Sequence, residues 1–95
     1  MKASWYGPGF QGKDMANGEP FNMNAYTVAH KTLPLGTCLK LTNLENGRTV
    51  NRVEVTDRGP YIKGRQLDVS KAVAQHLGFI GAGTAKLQAV KVDCA

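Results

Sequence analysis

Apolar residues recur at every second position along much of this chain, and in one segment at every fourth. Thr37–Asn43 places Leu39 and Leu41 on one face with polar residues between them, the pattern of a half-buried strand. Thr49–Thr56 repeats it with Val53 and Val55. Val50 is out of phase with that pair, which predicts a β-bulge. Between the two runs lies Glu45-Asn46-Gly47-Arg48. Asn-Gly predicts a tight hairpin here, since both residues tolerate the positive φ of a type I′ turn. Residues 25–30 (AYTVAH) read as a short strand, Leu67-Asp68-Val69 as a minimal one, and Ala85–Val92 as the last. The exception is Lys71–Leu77. Val69, Val73 and Leu77 form one helical stripe, Ser70 is placed as N-cap and Gly78 as the stop. Residues 1–24 read as a strand start followed by a long loop rich in Gly, Asn and Pro, and long ordered loops in small domains usually serve function. The sum is a mainly β fold, a small barrel of five or six strands with one helix at about 70–77.

Composition narrows the class. With 95 residues the chain has room for one domain with a modest core. Hydrophobic residues at 42% and charged residues at 20% exclude wholesale disorder. No apolar run approaches the roughly 20 residues that cross a bilayer, so no transmembrane segment is expected. The repeated βα units of a Rossmann or TIM-type enzyme are missing. The net charge of +5 favours a polyanion: nucleic acid, an acidic membrane face or an acidic cell-wall polymer. Because the basic residues are scattered, a soluble basic surface without a dedicated partner fits equally well. Cys38 and Cys94 share no CxxC spacing and make no zinc pattern with His30 and His76, so no metal or cofactor is expected. Two distant cysteines in a small Gly-rich chain point to one disulfide and an oxidising compartment; the alternative is two buried thiols. Met1-Lys2-Ala3 runs into Ser4-Trp5-Tyr6 without an apolar leader, so an exported protein would have this chain as a mature or excised domain.

Few side chains can carry acid–base chemistry. Glu45, Glu54 and Asp93 read as surface charges. Glu19, Asp57 and Asp68 each lie in or beside a turn shaped by Gly or Pro, where a barrel rim presents functional groups. For Asp57, which ends a strand and precedes Arg58, the competing reading is an Asx-turn at the strand end. For Asp68 it is a structural acceptor for loop amides. His30 is either a packing residue or a site residue, and His76 reads as a surface residue. No Cys–His pair, GxSxG, P-loop or HExxH is present, which leaves a nucleophilic hydrolase without support. Trp5, Tyr6, Tyr26 and Tyr61 could stack on sugars or bases, or lie in the core.

Seven motifs occur in one order: Ser4-Trp5-Tyr6-Gly7, Ala16-Asn17-Gly18-Glu19, Ala29-His30-Lys31-Thr32-Leu33-Pro34-Leu35-Gly36, Thr42-Asn43-Leu44, Asn46-Gly47-Arg48, Val55-Thr56-Asp57-Arg58-Gly59-Pro60-Tyr61 and Leu67-Asp68-Val69-Ser70. Together they resemble the double-psi β-barrel domain of the rare lipoprotein A (RlpA) family, over nearly the whole chain. Weaker similarity extends to expansins, barwin-like proteins and MltA-type lytic transglycosylases. The resemblance implies one six-stranded double-psi barrel spanning 1–95, a bacterial cell-envelope location (periplasmic or secreted), and peptidoglycan glycan strands as partner. It implies a lytic transglycosylase that cleaves MurNAc–GlcNAc bonds in stem-free glycan and leaves 1,6-anhydro-MurNAc ends. The lipid-anchored N-terminus and C-terminal SPOR domain of many full-length members do not fall within these residues.

Glu19, His30 and Asp57 match three active-site positions of the family, and Asp68 matches the acid that the expansin branch needs. On this reading Asp57 is the acid/base, its pKa raised by burial or by Asp68 or Glu19 nearby. Arg58 would oppose that shift if it pointed into the site. His30 orients the acid or donates to substrate, and Glu19 binds substrate or shares the proton. Asp68, Arg58 and an aromatic platform of Trp5, Tyr6 and Tyr61 bind the glycan. The rival reading is a non-catalytic, expansin-like glycan-binding module. A nucleic-acid module rests on charge alone and is not expected, and the chain is expected to act as a monomer.

Overall fold

The computed structural model describes residues 1–6 and 8–94. Six strands, β1 (Lys2–Tyr6), β2 (Thr27–His30), β3 (Cys38–Asn43), β4 (Thr49–Asp57), β5 (Leu67–Ser70) and β6 (Thr84–Val92), close a barrel in the order β1-β5-β2-β4-β3-β6. The single α-helix, α1 (Lys71–Leu77), follows β5 directly, and a 3-10 turn covers Pro8–Phe10. The pairs β1–β5 and β2–β4 are parallel, and the other four are antiparallel. A parallel pair cannot be joined by a hairpin, so the chain crosses the barrel between its partners. That is the double-psi architecture expected from the motifs.

Inward positions follow the period of two. Val28, Leu39, Leu41, Val53, Val55 and Leu67 fill the interior with Leu87 and the helix residues Val73 and Leu77. Each buried aliphatic side chain contributes roughly 1.5–3 kcal/mol. The bulge predicted at Val50 is present. Leu39 pairs with Val53 and Leu41 with Val50, so β4 carries one extra residue there and Val50 turns back into the core. A second bulge separates Val28↔Val55 from Ala29↔Asp57. It was not expected from sequence, and it decides where Asp57 points.

The hairpin differs from the type I′ turn expected at Asn46-Gly47. β3 and β4 are joined through residues 44–48, and the Gly47 N–H donates to the Asn43 carbonyl at 2.8 Å. Gly47 takes φ +76°, but no non-glycine residue described here has a positive φ, so Asn46 does not adopt the I′ geometry. The physical reason is that its side chain is engaged elsewhere. Asn46 Oδ1 accepts from the Arg48 N–H at 2.9 Å, and Nδ2 donates to the Leu77 carbonyl at 2.9 Å. Asn43 Nδ2 reaches the same carbonyl at 2.9 Å. The loop thus caps the C-terminus of α1, whose orphan carbonyls need partners. At the other end Ser70 Oγ accepts from the Val73 N–H, and Gly78 closes the helix in the left-handed region, both as expected.

Cys38 and Cys94 form a disulfide, with Cα atoms 5.4 Å apart, that ties β3 to the residues after β6. Arg52 Nη1 donates to the Cys94 carbonyl beside it. Among the described residues no helix is long and apolar enough to cross a membrane.

Candidate functional site

Strand register builds the site. Ser4 on β1 pairs with Asp68 on β5, Asp68 with Ala29 on β2, and Ala29 with Asp57 on β4. These four residues form one row across four neighbouring strands, on the outer face of the barrel. Asp57 belongs to that face only because of the second bulge. Simple alternation from Val53 and Val55 would turn it into the apolar interior, and the extra residue reverses its direction. The Cα atoms of Asp57 and Asp68 are thereby two strand spacings apart, ~9–10 Å. Ala29, with only a methyl side chain, lies between them.

The long loop covers this row from one side. Its two limbs are pinned together by Gly12 N–H to the Phe21 carbonyl, Phe21 N–H to the Lys13 carbonyl and Met15 N–H to the Glu19 carbonyl. Met15 and Phe21 bury against Tyr6 to form a second small core. The loop then docks on the end of β4. The Asn17 N–H donates to the Thr56 carbonyl at 3.1 Å, Thr56 Oγ1 donates to Met15 Sδ, and the Ala16 N–H donates to Asp57 Oδ1 at 2.9 Å. The Arg58 N–H donates to the same Oδ1 at 2.8 Å. One oxygen of Asp57 is therefore fixed by two backbone amides.

Asp68 is held differently. Ser4 Oγ donates to its Oδ1 at 3.2 Å. Burial raises the carboxyl to about 6; Ser4 and Arg65 oppose the shift, and the charge of Asp57 adds to it. A carboxylic acid of that strength exchanges its proton near neutral pH.

His30 and Arg58 shape the turn that follows β2. His30 Nδ1 accepts from the Thr32 and Leu33 N–H groups at 3.1 and 3.0 Å, which leaves its proton on Nε2. Burial, with Arg58 and Lys31 nearby, lowers its pKa and keeps the ring neutral. Arg58 Nη1 donates to the carbonyls of His30 and Leu33. The Arg58 side chain thus braces the turn through carbonyl groups, and its expected substrate contact has no open guanidinium edge at Nη1. No hydrogen bond among the described residues joins His30 to Asp57 or Asp68. Glu19 is exposed on the loop, three residues beyond the Ala16 amide.

The aromatic platform needs correction. Trp5 shares the inward parity of Ala3 and packs against the barrel core. Tyr6 is only 7% exposed, and its ring stacks on Phe21 at 4.3 Å with Phe10 edge-on at 5.6 Å. Trp5 is half-buried, whereas Tyr6, covered by Met15 and Phe21 of the loop, offers no open face to a sugar. Tyr61, 77% exposed beyond Asp57-Arg58-Gly59-Pro60, does. Tyr26 is also exposed, with its hydroxyl 3.3 Å from His76 Nδ1, beside an open pocket of about 310 Å³ that contains the disulfide, Arg52 and Glu54. Sequence reasoning did not single out Ser4 or Ala29. Ser4 is a polar residue between the apolar Ala3 and Trp5, which marks it as outward-facing, but its partner on β5 is invisible without the register.

Comparison with known proteins agrees with this fold. The family model described as lytic transglycolase matches residues 1–89. The endolytic peptidoglycan transglycosylase RlpA of Campylobacter jejuni is 55% identical over 86 residues, covering 90% of this chain and 31% of that protein. The probable endolytic peptidoglycan transglycosylase RlpA of Treponema pallidum is 52% identical, over 96% of this chain and 28% of its own length. The chain therefore spans about a third of the curated relatives it matches. Among solved structures, the apo expansin of Clavibacter michiganensis superposes with a TM-score of 0.74 at 28% identity, covering 99% of this chain and 50% of the expansin. The Streptomyces papain inhibitor gives 0.70 at 25% identity, over 94% and 90% of the two chains. On sequence, topology and the placement of its motifs, the chain belongs to the lytic transglycolase family of double-psi β-barrel domains.

Proposed function

We propose that this chain is the glycan-cutting domain of a bacterial cell-envelope lytic transglycosylase, acting on peptidoglycan strands between MurNAc and GlcNAc. The observation that carries the reading is the row Ser4–Asp68–Ala29–Asp57. It sets two half-buried carboxyl groups on one outer face of the barrel, one raised to about 6 and the other clamped by two amides. Acid–base chemistry needs one group that carries a proton near working pH and one placed to face developing positive charge. The roles are thus proposed in the opposite sense to the sequence expectation: Asp68 carries the proton and Asp57 faces the anomeric carbon.

In the proposed step Asp68 gives its proton to the bridging oxygen as the bond from that oxygen to MurNAc C1 breaks. The MurNAc 6-hydroxyl oxygen bonds to C1, and its proton returns to Asp68. The GlcNAc side leaves as an alcohol, the MurNAc side closes as a 1,6-anhydro ring, and no water is consumed. His30, neutral with its proton on Nε2, serves as a donor to the glycan. Glu19 offers an exposed carboxylate and Tyr61 an open ring for stacking. The Cys38–Cys94 disulfide suits an oxidising envelope compartment.

Digestion of stem-free glycan followed by mass spectrometry tests the reading. The expected result is anhydro-MurNAc termini, with product lost in Asp68→Asn and reduced about 100-fold in Asp57→Asn. Full activity in Asp57→Asn removes that residue from the site. The likeness to an expansin keeps a second reading in play, a domain that binds wall glycan without cutting it. Retention on cell walls with no soluble product favours that binder.

A further inference from the structure

The outer side of β4 carries a cavity that the proposed chemistry does not use. Arg52 and Glu54 are exposed and two residues apart on this strand, so both side chains leave the barrel on the same side. Glu54 pairs with Thr27 on β2 and with Cys38 on β3. The Cys38–Cys94 disulfide lies on one side of the pair, and Tyr26, the residue before β2, completes the lining. These five residues surround an open cavity of about 310 Å³. Glu54 precedes Asp57 by three residues, at most ~10 Å along the strand. The long loop docks on β4 between them, where the Asn17 N–H meets the Thr56 carbonyl.

The lining is held in place by the fold. The Tyr26 carbonyl accepts from the Glu54 N–H at 3.3 Å. The Tyr26 hydroxyl lies 3.3 Å from His76 Nδ1, and the two rings meet edge to face with centroids 5.9 Å apart. Helix α1 thus sets the tilt of a ring that is still 44% exposed. Arg52 Nη1 donates to the Cys94 carbonyl, which keeps the guanidinium beside the disulfide, and its other nitrogens are not engaged by that bond. A cavity ordered in advance loses less freedom when it binds.

The chemistry of the lining selects the ligand. The volume is at the small end of ligand cavities and takes one ring-sized group. An exposed aromatic face packs on the C–H face of a pyranose. A carboxylate accepts from hydroxyl groups, and a guanidinium donates to hydroxyl and amide oxygens. The opposite charges of Arg52 and Glu54 offset each other, so the cavity favours a neutral, hydroxyl-rich ring over an ion. GlcNAc, with its acetamido group, is such a ring, and it alternates with MurNAc along a peptidoglycan strand.

We propose that this cavity is a second saccharide site, which holds one GlcNAc of a wall glycan with Tyr26 as platform and Arg52 and Glu54 as polar contacts. The choice of a wall sugar as occupant rests on the transglycosylase reading. The site anchors a strand whose other part lies across Asp57 and Asp68, so it acts on binding and not on bond cleavage.

The experiment titrates the isotope-labelled chain with a neutral GlcNAc tetramer and, separately, with a sugar-free stem peptide, followed by NMR. The tetramer should shift the Tyr26 ring signals and the Arg52 and Glu54 amides to saturation, and the peptide should not. Tyr26→Ala removes an exposed ring and leaves the core intact; it should weaken this binding about tenfold. Tyr26→Phe keeps the platform and should stay within about twofold of the unaltered protein. On long stem-free strands Tyr26→Ala should raise KM about tenfold with kcat unchanged, the mark of lost uniform binding, and strands too short to reach both sites should be cut equally by the two proteins. Signals at Tyr26, Arg52 and Glu54 that ignore the tetramer, that follow the peptide instead, or that respond equally in Tyr26→Ala overturn the proposal. Pocket shifts in a protein that cuts no glycan uphold the saccharide site and refute the enzyme reading. Cleavage with a silent pocket does the reverse.

Discussion

Two polar clusters on this barrel solve the same problem in opposite ways. At the C-terminus of α1, Asn43 and Asn46 are fully engaged. Their amide nitrogens meet the Leu77 carbonyl, and their oxygens accept from the Glu45 and Arg48 N–H groups. On the outer face of β1, β5, β2 and β4, the accounts are left open. Tyr6 and Thr27 hold buried hydroxyls without a partner among the described residues, and Asp68 has a proton affinity far from its ordinary value. Where every donor and acceptor is matched, the side chains serve the fold. Where matches are withheld at the cost of stability, the side chains are free to act on something else.

The sharpest way to break this comparison is Asp68→Asn. Catalysis should fall about 10²–10⁴-fold, the usual contribution of a positioned acid, measured as anhydro-MurNAc release. Stability should move the other way. The folded-state pKa of Asp68 is raised from the ordinary 3.8 to about 6. The neutral acid costs little to bury, so below about pH 4 the native protein bears no penalty at this site. As pH rises through 6 the folded state must either hold the proton or bury the charge, and stability is lost. Asparagine never ionises and still accepts from Ser4. The variant should therefore match the unaltered protein at pH 4 and exceed it at pH 7–8, by about 1–2 kcal/mol once partial solvent screening is allowed for. Thermal melts at the two pH values check this. A variant less stable at both would place Asp68 with the structural asparagines.

How much of this difference could be read from the chain is set by distance along it. The strands were legible because Leu39, Leu41, Val53 and Val55 alternate, and the helix because Ser70, Gly78 and the Val73–Leu77 stripe are local signals. The acidic row was not. Its members come from β1, β5, β2 and β4, neighbours in space whose order in the barrel is not their order in sequence. Motif resemblance supplied Asp57 and Asp68 as candidates but not Ser4 or Ala29. Nor could alternation alone place Asp57, since the second bulge reverses it. Tyr6 illustrates the same limit. An aromatic ring before a Gly-rich turn looks available, and what closes it off is Met15 and Phe21, folded back from the far part of the loop.

The structural cluster should behave as its matched bonds require. Asn43 is buried, and its side chain makes two hydrogen bonds. Asn43→Ala should destabilise the fold by about 2 kcal/mol, since it opens a small cavity and removes partners from buried groups. Denaturant unfolding measures the loss. Activity per folded molecule on glycan should not change. A variant of normal stability but poor activity would show that the two clusters are coupled and would undo the distinction between them.

The smallest effect is the most discriminating. Asn46 is exposed, and it shares the Leu77 carbonyl with Asn43. A carbonyl oxygen has two lone pairs, so after Asn46→Ala the Leu77 carbonyl is still satisfied by Asn43 Nδ2. The single substitution should cost only about 0.5–1 kcal/mol, the ordinary net value of one partly exposed hydrogen bond. With Asn43 already replaced, the same change orphans the carbonyl at the end of α1. The double variant should therefore be less stable than the sum of the two singles, with a coupling of about 0.5–1 kcal/mol in a double-mutant cycle. Strict additivity would mean that each amide acts alone and that Leu77 does not depend on either.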